Sequence, residues 1–113
     1  MRIIIDQQKW ETFNSYHYTF LDVKNNVIGS YRLETMNPTD WYLVGLYIQP
    51  EHRTNNYGNK LLAHAIAEFR KMSNEEKLFI QVYKNTFMYD WYLRKGFAYL
   101  KEVDELKDWL VLT

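Results

Sequence analysis

Leu46-Tyr47-Ile48-Gln49-Pro50-Glu51-His52-Arg53-Thr54-Asn55-Asn56-Tyr57-Gly58-Asn59-Lys60-Leu61-Leu62 is the stretch on which the fold turns. It opens as an apolar strand, passes through a polar turn and continues as a helix. From Asn59 to Met72 the apolar residues Leu61, Leu62, Ala65, Ile66, Phe69 and Met72 recur at helical spacing, with His64, Glu68 and Lys71 on the opposite face. A strand feeding such a turn aims several backbone N–H groups at one place. The helix start adds its partial positive charge, and the place suits a phosphate. By itself the turn has a plainer reading, since Asn-rich turns before amphipathic helices are common.

Working outward, a second stretch follows: Asn85-Thr86-Phe87-Met88-Tyr89-Asp90-Trp91-Tyr92-Leu93-Arg94-Lys95-Gly96-Phe97. It reads as a short helix that starts at Asn85 and stops at Gly96. Between the two lies a strand over Leu78–Tyr83. Upstream, Arg2–Ile5 and Trp41–Ile48 read as strands, and Tyr16–Val23 and Val27–Thr35 as a hairpin around Lys24-Asn25-Asn26. Asn37-Pro38 breaks the pattern between the hairpin and Trp41. Phe97–Val103 and Trp109–Leu112 read as a last hairpin around Asp104-Glu105-Leu106-Lys107-Asp108. This order predicts an α+β fold, a mixed and mostly antiparallel twisted sheet with helices packed on it.

Together the two stretches resemble the GNAT superfamily of N-acetyltransferases, which move an acetyl group from acetyl-CoA to an amine. The family's pyrophosphate loop has Arg or Gln, two free positions, Gly, one free position, then Gly or Ala. Arg53 and Gly58 match that frame, and Asn56 stands where the first Gly would be. Asn is the side-chain-bearing residue that best tolerates positive φ, so the loop can keep its shape. The family's second motif is an Asn, a Tyr seven residues on and a Gly-Phe pair just after. Asn85, Tyr92, Gly96 and Phe97 fit it without a gap. The resemblance is strong over residues 40–100 and general elsewhere.

The resemblance implies a site. Backbone groups of Leu46, Tyr47 and Ile48 would pair with the amides of the pantetheine arm. Arg53, Thr54, Asn55, Asn56, Tyr57, Gly58, Asn59 and Lys60 would hold the pyrophosphate. Asn85 would bond the arm or cap the short helix, and both roles are compatible. Tyr92 would protonate the departing thiolate, the alternative being a ring that only packs beneath its helix. No base stands out. Gln81 lies where some family members carry a Glu, and Glu34, Asp40 and His17 remain as groups acting through a water.

Size and composition narrow the rest. A chain of 113 residues is enough for one domain, 1–113, with one core. Its formal net charge is zero, which argues against a dedicated nucleic-acid binder. It has no cysteine, so an acyl-enzyme on Cys is excluded and any acyl transfer uses another nucleophile or goes directly to the acceptor, as the resemblance implies. Three His, at 17, 52 and 64, lack metal-ligand spacing, and no metal is expected. No apolar run is long enough for a membrane span or a signal peptide, so a soluble cytoplasmic protein is expected. The four Trp read as mostly core, and the acidic cluster Glu102, Asp104, Glu105 and Asp108 as a solvated hairpin tip.

One departure bears on the acceptor. Family members place two helices between the first two strands, whereas Asp6–Asn14 leaves room for one short helix. The acceptor site is then open or completed by a second subunit, as in a homodimer, and a protein lysine or N-terminus is favoured over a small amine. The competing reading is a catalytically inactive CoA-binding or protein-interaction module on the same fold.

Overall fold

Seven strands form one sheet in the order β1-β2-β3-β4-β5-β7-β6. The computed structural model describes residues 1–9, 13–36 and 39–113. The strands are β1 (Arg2–Lys9), β2 (Phe13–Leu21), β3 (Val27–Met36), β4 (Asp40–Ile48), β5 (Leu78–Tyr83), β6 (Ala98–Glu102) and β7 (Lys107–Leu112). Helix α1 (Tyr57–Met72) links β4 to β5, and α2 (Phe87–Arg94) follows β5. Every neighbouring pair is antiparallel except β4 and β5, which are parallel because α1 carries the chain back across the sheet. The mixed α+β architecture is the one expected from sequence.

Local chemistry explains the elements. The turn after β2 is held by Asp22, whose carboxylate accepts from the N–H groups of Lys24 (2.8 Å) and Asn26 (2.9 Å). Asn25 takes φ +67° there, the left-handed conformation that Asn tolerates. Gly96 ends α2 with φ +102°. On β3, a Cβ at Gly29 would stand 2.9 Å from Ile48 Cδ1 and 3.1 Å from Leu61 Cδ2, so only glycine lets β3, β4 and α1 approach this closely.

The core lies between the sheet and α1. Leu61, Leu62, Ala65 and Phe69 bury against Tyr18, Phe20, Tyr31, Leu33 and Leu43. The polar face assigned to α1 needs correction. His64 packs edge-on against Phe20, and its Nδ1 lies 2.6 Å from the Tyr31 hydroxyl. Glu68 accepts from the Tyr18 hydroxyl at 3.3 Å. Buried phenols need partners, and the helix supplies them from the flank of its apolar stripe.

The N-terminal region also differs from expectation. Among the described residues of the interval from Asp6 to Asn14 there is no helix: Asp6 to Lys9 continue β1 and pair with His17 to Asn14 of β2. Trp10 and the rest of residues 10–12, like the Asn37-Pro38 break, lie outside the described residues. Of the other Trp residues, only Trp41 is buried, while Trp91 and Trp109 are half-buried.

Candidate active site

The site begins where two strands part. β4 and β5 pair only at Trp41↔Leu78 and Tyr42↔Phe79, although both continue for several residues. The cause lies on β4. Ser30 of β3 pairs with Tyr47 and Arg32 with Val44, so a two-residue step on β3 faces a three-residue step on β4. That is a β-bulge, and Gly45 occupies it with φ +65°. A bulge bends its strand and interrupts pairing. Here it accompanies a cleft of ≈ 720 Å³ between Leu43–Leu46 on one side and Ile80–Tyr83 on the other. The β4 edge facing the cleft has no strand beside it, and an extended amide-bearing chain could pair with it as an added strand.

The expected strand residues divide. Leu46 lines the cleft. Tyr47 and Ile48 instead hold Arg53, whose guanidinium stacks 5.2 Å from the Tyr47 ring centre and whose Nε donates to the Ile48 carbonyl at 3.0 Å. A 3₁₀ turn at Pro50–His52 then leads through exposed Arg53, Thr54 and Asn55 to Asn56. Asn56 takes φ +61° and ψ +21°, the left-handed conformation expected of a residue standing in for glycine.

Helix α1 starts at Tyr57 with no side-chain cap and no acidic residue in its first turn. The N–H groups of Tyr57, Gly58 and Asn59 precede the helix's own ladder. Asn59 Nδ2 donates to Asn56 Oδ1, while Asn59 Oδ1 is buried without a partner among the described residues. Lys60 places its ammonium 5.2 Å from the Tyr57 ring centre. Packing does not demand glycine at 58, since a Cβ there would meet the Trp91 ring at an ordinary 3.7 Å. The helix start is thus electropositive and free of competing carboxylates, which suits a phosphate.

Helix α2 supplies the cleft's floor. Thr86, not Asn85, is its cap: Thr86 Oγ1 accepts from Tyr89 N at 3.3 Å and donates to the Tyr83 carbonyl at 2.8 Å. Asn85 sits one residue outside with φ +59° and is exposed. It lines a smaller recess with Lys84, Tyr89 and Asp108, whereas Tyr92 lines the main cleft. Asn85 and Tyr92 therefore do not share a helix face, contrary to what their spacing suggests. The reason is conformational: extended Thr86 caps with a short hydroxyl, while Asn85 takes the left-handed turn.

Tyr92 is 4% exposed, with its ring edge-on to Trp91 and Phe97. Burial pushes its phenol pKa well above the usual tyrosine value, so it keeps its proton at neutral pH. α2 is tied to the sheet through Tyr89, whose hydroxyl donates to Asp108 Oδ2 at 2.7 Å. Asp108 is 7% exposed and also faces Lys84 Nζ at 3.7 Å, so it belongs to this anchor and not to a solvated tip. Its place on the inward face of β7, opposite Val82, explains the burial.

Among the candidate bases, only Glu34 lines the cleft. Its Oε2 accepts from Ser15 Oγ at 3.3 Å and lies 3.4 Å from Arg32 Nε. His17 is exposed on β2, and Asp40 lies beside Tyr42 at the start of β4, where burial first and the Asp40 charge second raise the Tyr42 pKa. Sequence reasoning missed Gly45, although an isolated Gly inside a strand is itself a bulge signal. It also missed the rings of Tyr42 and Trp109 in the cleft wall. Among the described residues no cluster of three or more His, Cys, Asp or Glu could hold a metal, and no helix is long and apolar enough to cross a membrane.

Comparison with known proteins bears on this geometry. The model of the acetyltransferase (GNAT) family matches residues 2–97. The PaiA N-acetyltransferase of Thermoplasma acidophilum, solved in complex with coenzyme A, is similar in fold, with a TM-score of 0.71 and 17% identity over 90% of this chain and 61% of that one. A GNAT family acetyltransferase of Elizabethkingia anophelis with acetyl-CoA bound has a TM-score of 0.72 and 14% identity over 97% of both chains. An acyl-CoA N-acyltransferase of Pseudomonas aeruginosa has a TM-score of 0.74 and 13% identity over 88% of this chain and 69% of that one. No curated protein matches by sequence.

Proposed function

The chain belongs to the GNAT acetyltransferase family, and on that premise we propose that it is an acetyl-CoA-dependent N-acetyltransferase acting on a protein lysine or N-terminus. The observation that carries the reading is the parting of β4 and β5 beyond Tyr42 and Phe79, with the protonated Tyr92 at its floor. The pantetheine arm would lie along the free β4 edge at Leu46, with its pyrophosphate at the Arg53–Lys60 turn. Asn85 would contact the arm from the turn after β5.

Acetyl transfer needs a neutral amine near the thioester carbon, stabilisation of the oxyanion and a proton for the thiolate. N–H groups of the bulged β4 edge would meet the developing oxyanion. The amine attacks the carbonyl carbon, the C–S bond breaks, and Tyr92 gives its proton to sulfur. The phenolate regains a proton from the nitrogen of the new amide. With no cysteine in the chain, no acyl-enzyme on Cys intervenes.

The pairing of Asp6–Lys9 with Asn14–His17 as strands, where family members carry helices, supports an acceptor carried on a larger molecule. The test is mass spectrometry of lysine peptides, N-terminal peptides and polyamines after incubation with isotope-labelled acetyl-CoA. A labelled peptide in preference to polyamines supports the reading, and no labelled product at all opposes it. Gln81, an amide lining the cleft where a carboxylate base would serve, favours one alternative, a CoA-binding or protein-interaction module without turnover. That alternative predicts acetyl-CoA binding with no labelled product.

A further inference from the structure

The sheet has two outer edges, and they differ. At one end β6 is five residues long, and its pairing with β7 slips between Tyr99 and Lys101. At the other end β1 pairs with β2 over eight consecutive residues without a slip, and no strand of the described residues lies on its far side. A long, regular, unpaired edge is a template for another strand. Its side chains alternate between the two faces. Ile3 and Ile5 stand opposite Phe20 and Tyr18 on the α1 face, while Arg2, Ile4 and Asp6 stand on the other. Ile4 is 43% exposed and Ile5 56%, and Arg2 and Asp6 are exposed as well. The Arg2 guanidinium gives one bond to Asn25 Oδ1, at 2.7 Å, and has further N–H donors.

We propose that the β1 edge binds a second copy of this chain, pairing antiparallel with the partner's β1 so that Ile4 lies opposite the partner's Ile4. In that register Arg2-Ile3-Ile4-Ile5-Asp6 is self-complementary. Arg2 faces the partner's Asp6, Ile3 faces the partner's Ile5, and the two-fold axis repeats both contacts. Opposed residues must share a face, so the register can move only in steps that keep even positions opposite even ones. Centring on Ile5 puts Ile4 against the partner's Asp6. Centring on Ile3 puts Arg2 against the partner's Ile4, and centring on Asp6 opposes two carboxylates. Only the Ile4-centred register joins opposite charges and keeps every isoleucine against an isoleucine. A formal net charge of zero lets two copies approach without net repulsion. β2 and β3 stand between β1 and the parted strands β4 and β5, so the joined edges lie away from both clefts. The pairing is independent of the acetyltransferase reading.

Sedimentation velocity over micromolar to millimolar chain concentration tests this, with circular dichroism to check that each variant is folded. Wild type should shift with concentration to a species of twice the 13.8 kDa chain mass. Arg2→Asp and Asp6→Arg each place like charges opposite one another and should hold the chain monomeric. The double variant Arg2→Asp/Asp6→Arg sets opposite charges together again and should restore the dimer. The chain has no cysteine, so a single introduced thiol reads the register. Ile4→Cys should form an intermolecular disulfide under mild oxidation, because its two thiols stand directly opposite. Ile5→Cys should crosslink far less, since its two copies are offset by two residues along the strands, beyond disulfide reach. Four results would overturn the proposal: a wild type that stays monomeric, a dimer that survives both single charge reversals, a double variant that stays monomeric, or equal crosslinking of Ile5→Cys and Ile4→Cys.

Discussion

Tyr42 pairs with Phe79, and beyond that pair β4 and β5 no longer hydrogen-bond. The bulge at Gly45 lies three residues further along β4, on the border of the cleft. A non-glycine residue held in the left-handed region costs about 1–2 kcal/mol. Gly45→Ala should therefore destabilise the fold by that amount in urea unfolding. It should also weaken acetyl-CoA binding beyond what the loss of stability explains, since relaxing the bulge would let β4 move toward β5. Unaltered affinity would separate the bulge from the site.

Gly58 offers a cleaner separation of packing from binding. A Cβ there meets only the Trp91 ring, at an ordinary distance, so Gly58→Val should change the melting temperature little. It should abolish acetyl-CoA binding measured by calorimetry if phosphate oxygens must reach the first-turn N–H groups. Retained affinity would move the pyrophosphate elsewhere.

Tyr92→Phe keeps the ring and its contacts with Trp91 and Phe97 but removes the proton. Turnover should fall by roughly 10²–10⁴-fold, with acetyl-CoA affinity and melting temperature nearly unchanged. Because burial raises the phenol's pKa, the wild type should show no loss of turnover from Tyr92 as pH approaches 10. Full turnover in the variant would leave Tyr92 a packing residue.

The Tyr89–Asp108 bond predicts a stability effect. Tyr89→Phe leaves the buried Asp108 short of a donor, at a cost of about 1–3 kcal/mol. The bond also pushes the Tyr89 pKa up to about 12. The folded value exceeds the unfolded one, so the stabilisation is complete below pH 10 and is lost as pH rises toward 12. Denaturation curves across that window should slope downward in wild type and less steeply in Tyr89→Phe.

The strands, the two helices and their order were legible because apolar periodicity records burial directly. Leu61, Leu62, Ala65 and Phe69 repeat at helical spacing because one face of α1 meets the sheet. Asn56 was legible as a glycine substitute because few other residues tolerate positive φ. Asp6 to Lys9 looked like helix-length connection because exposed strand residues carry no alternating pattern, and only pairing with β2 makes them a strand. Of the two roles open to Asn85, capping falls to Thr86, because Asn suits both a cap and a left-handed turn and the sequence alone does not separate them. The rings of Tyr42, Phe79 and Trp109 lie on three strands and meet only once the sheet order is set. Asp108 looked solvated beside other acidic residues, while its partner Tyr89 lies on a different element.

Thermal unfolding of the wild type over a titration of acetyl-CoA tests the central claim most directly. At a hundred times the dissociation constant, acetyl-CoA should add about 2.7 kcal/mol to the stability, with the midpoint rising as ligand is added. Phosphate-free pantetheine analogues should do far less. A melting temperature that stays fixed at saturating, millimolar acetyl-CoA would contradict the account.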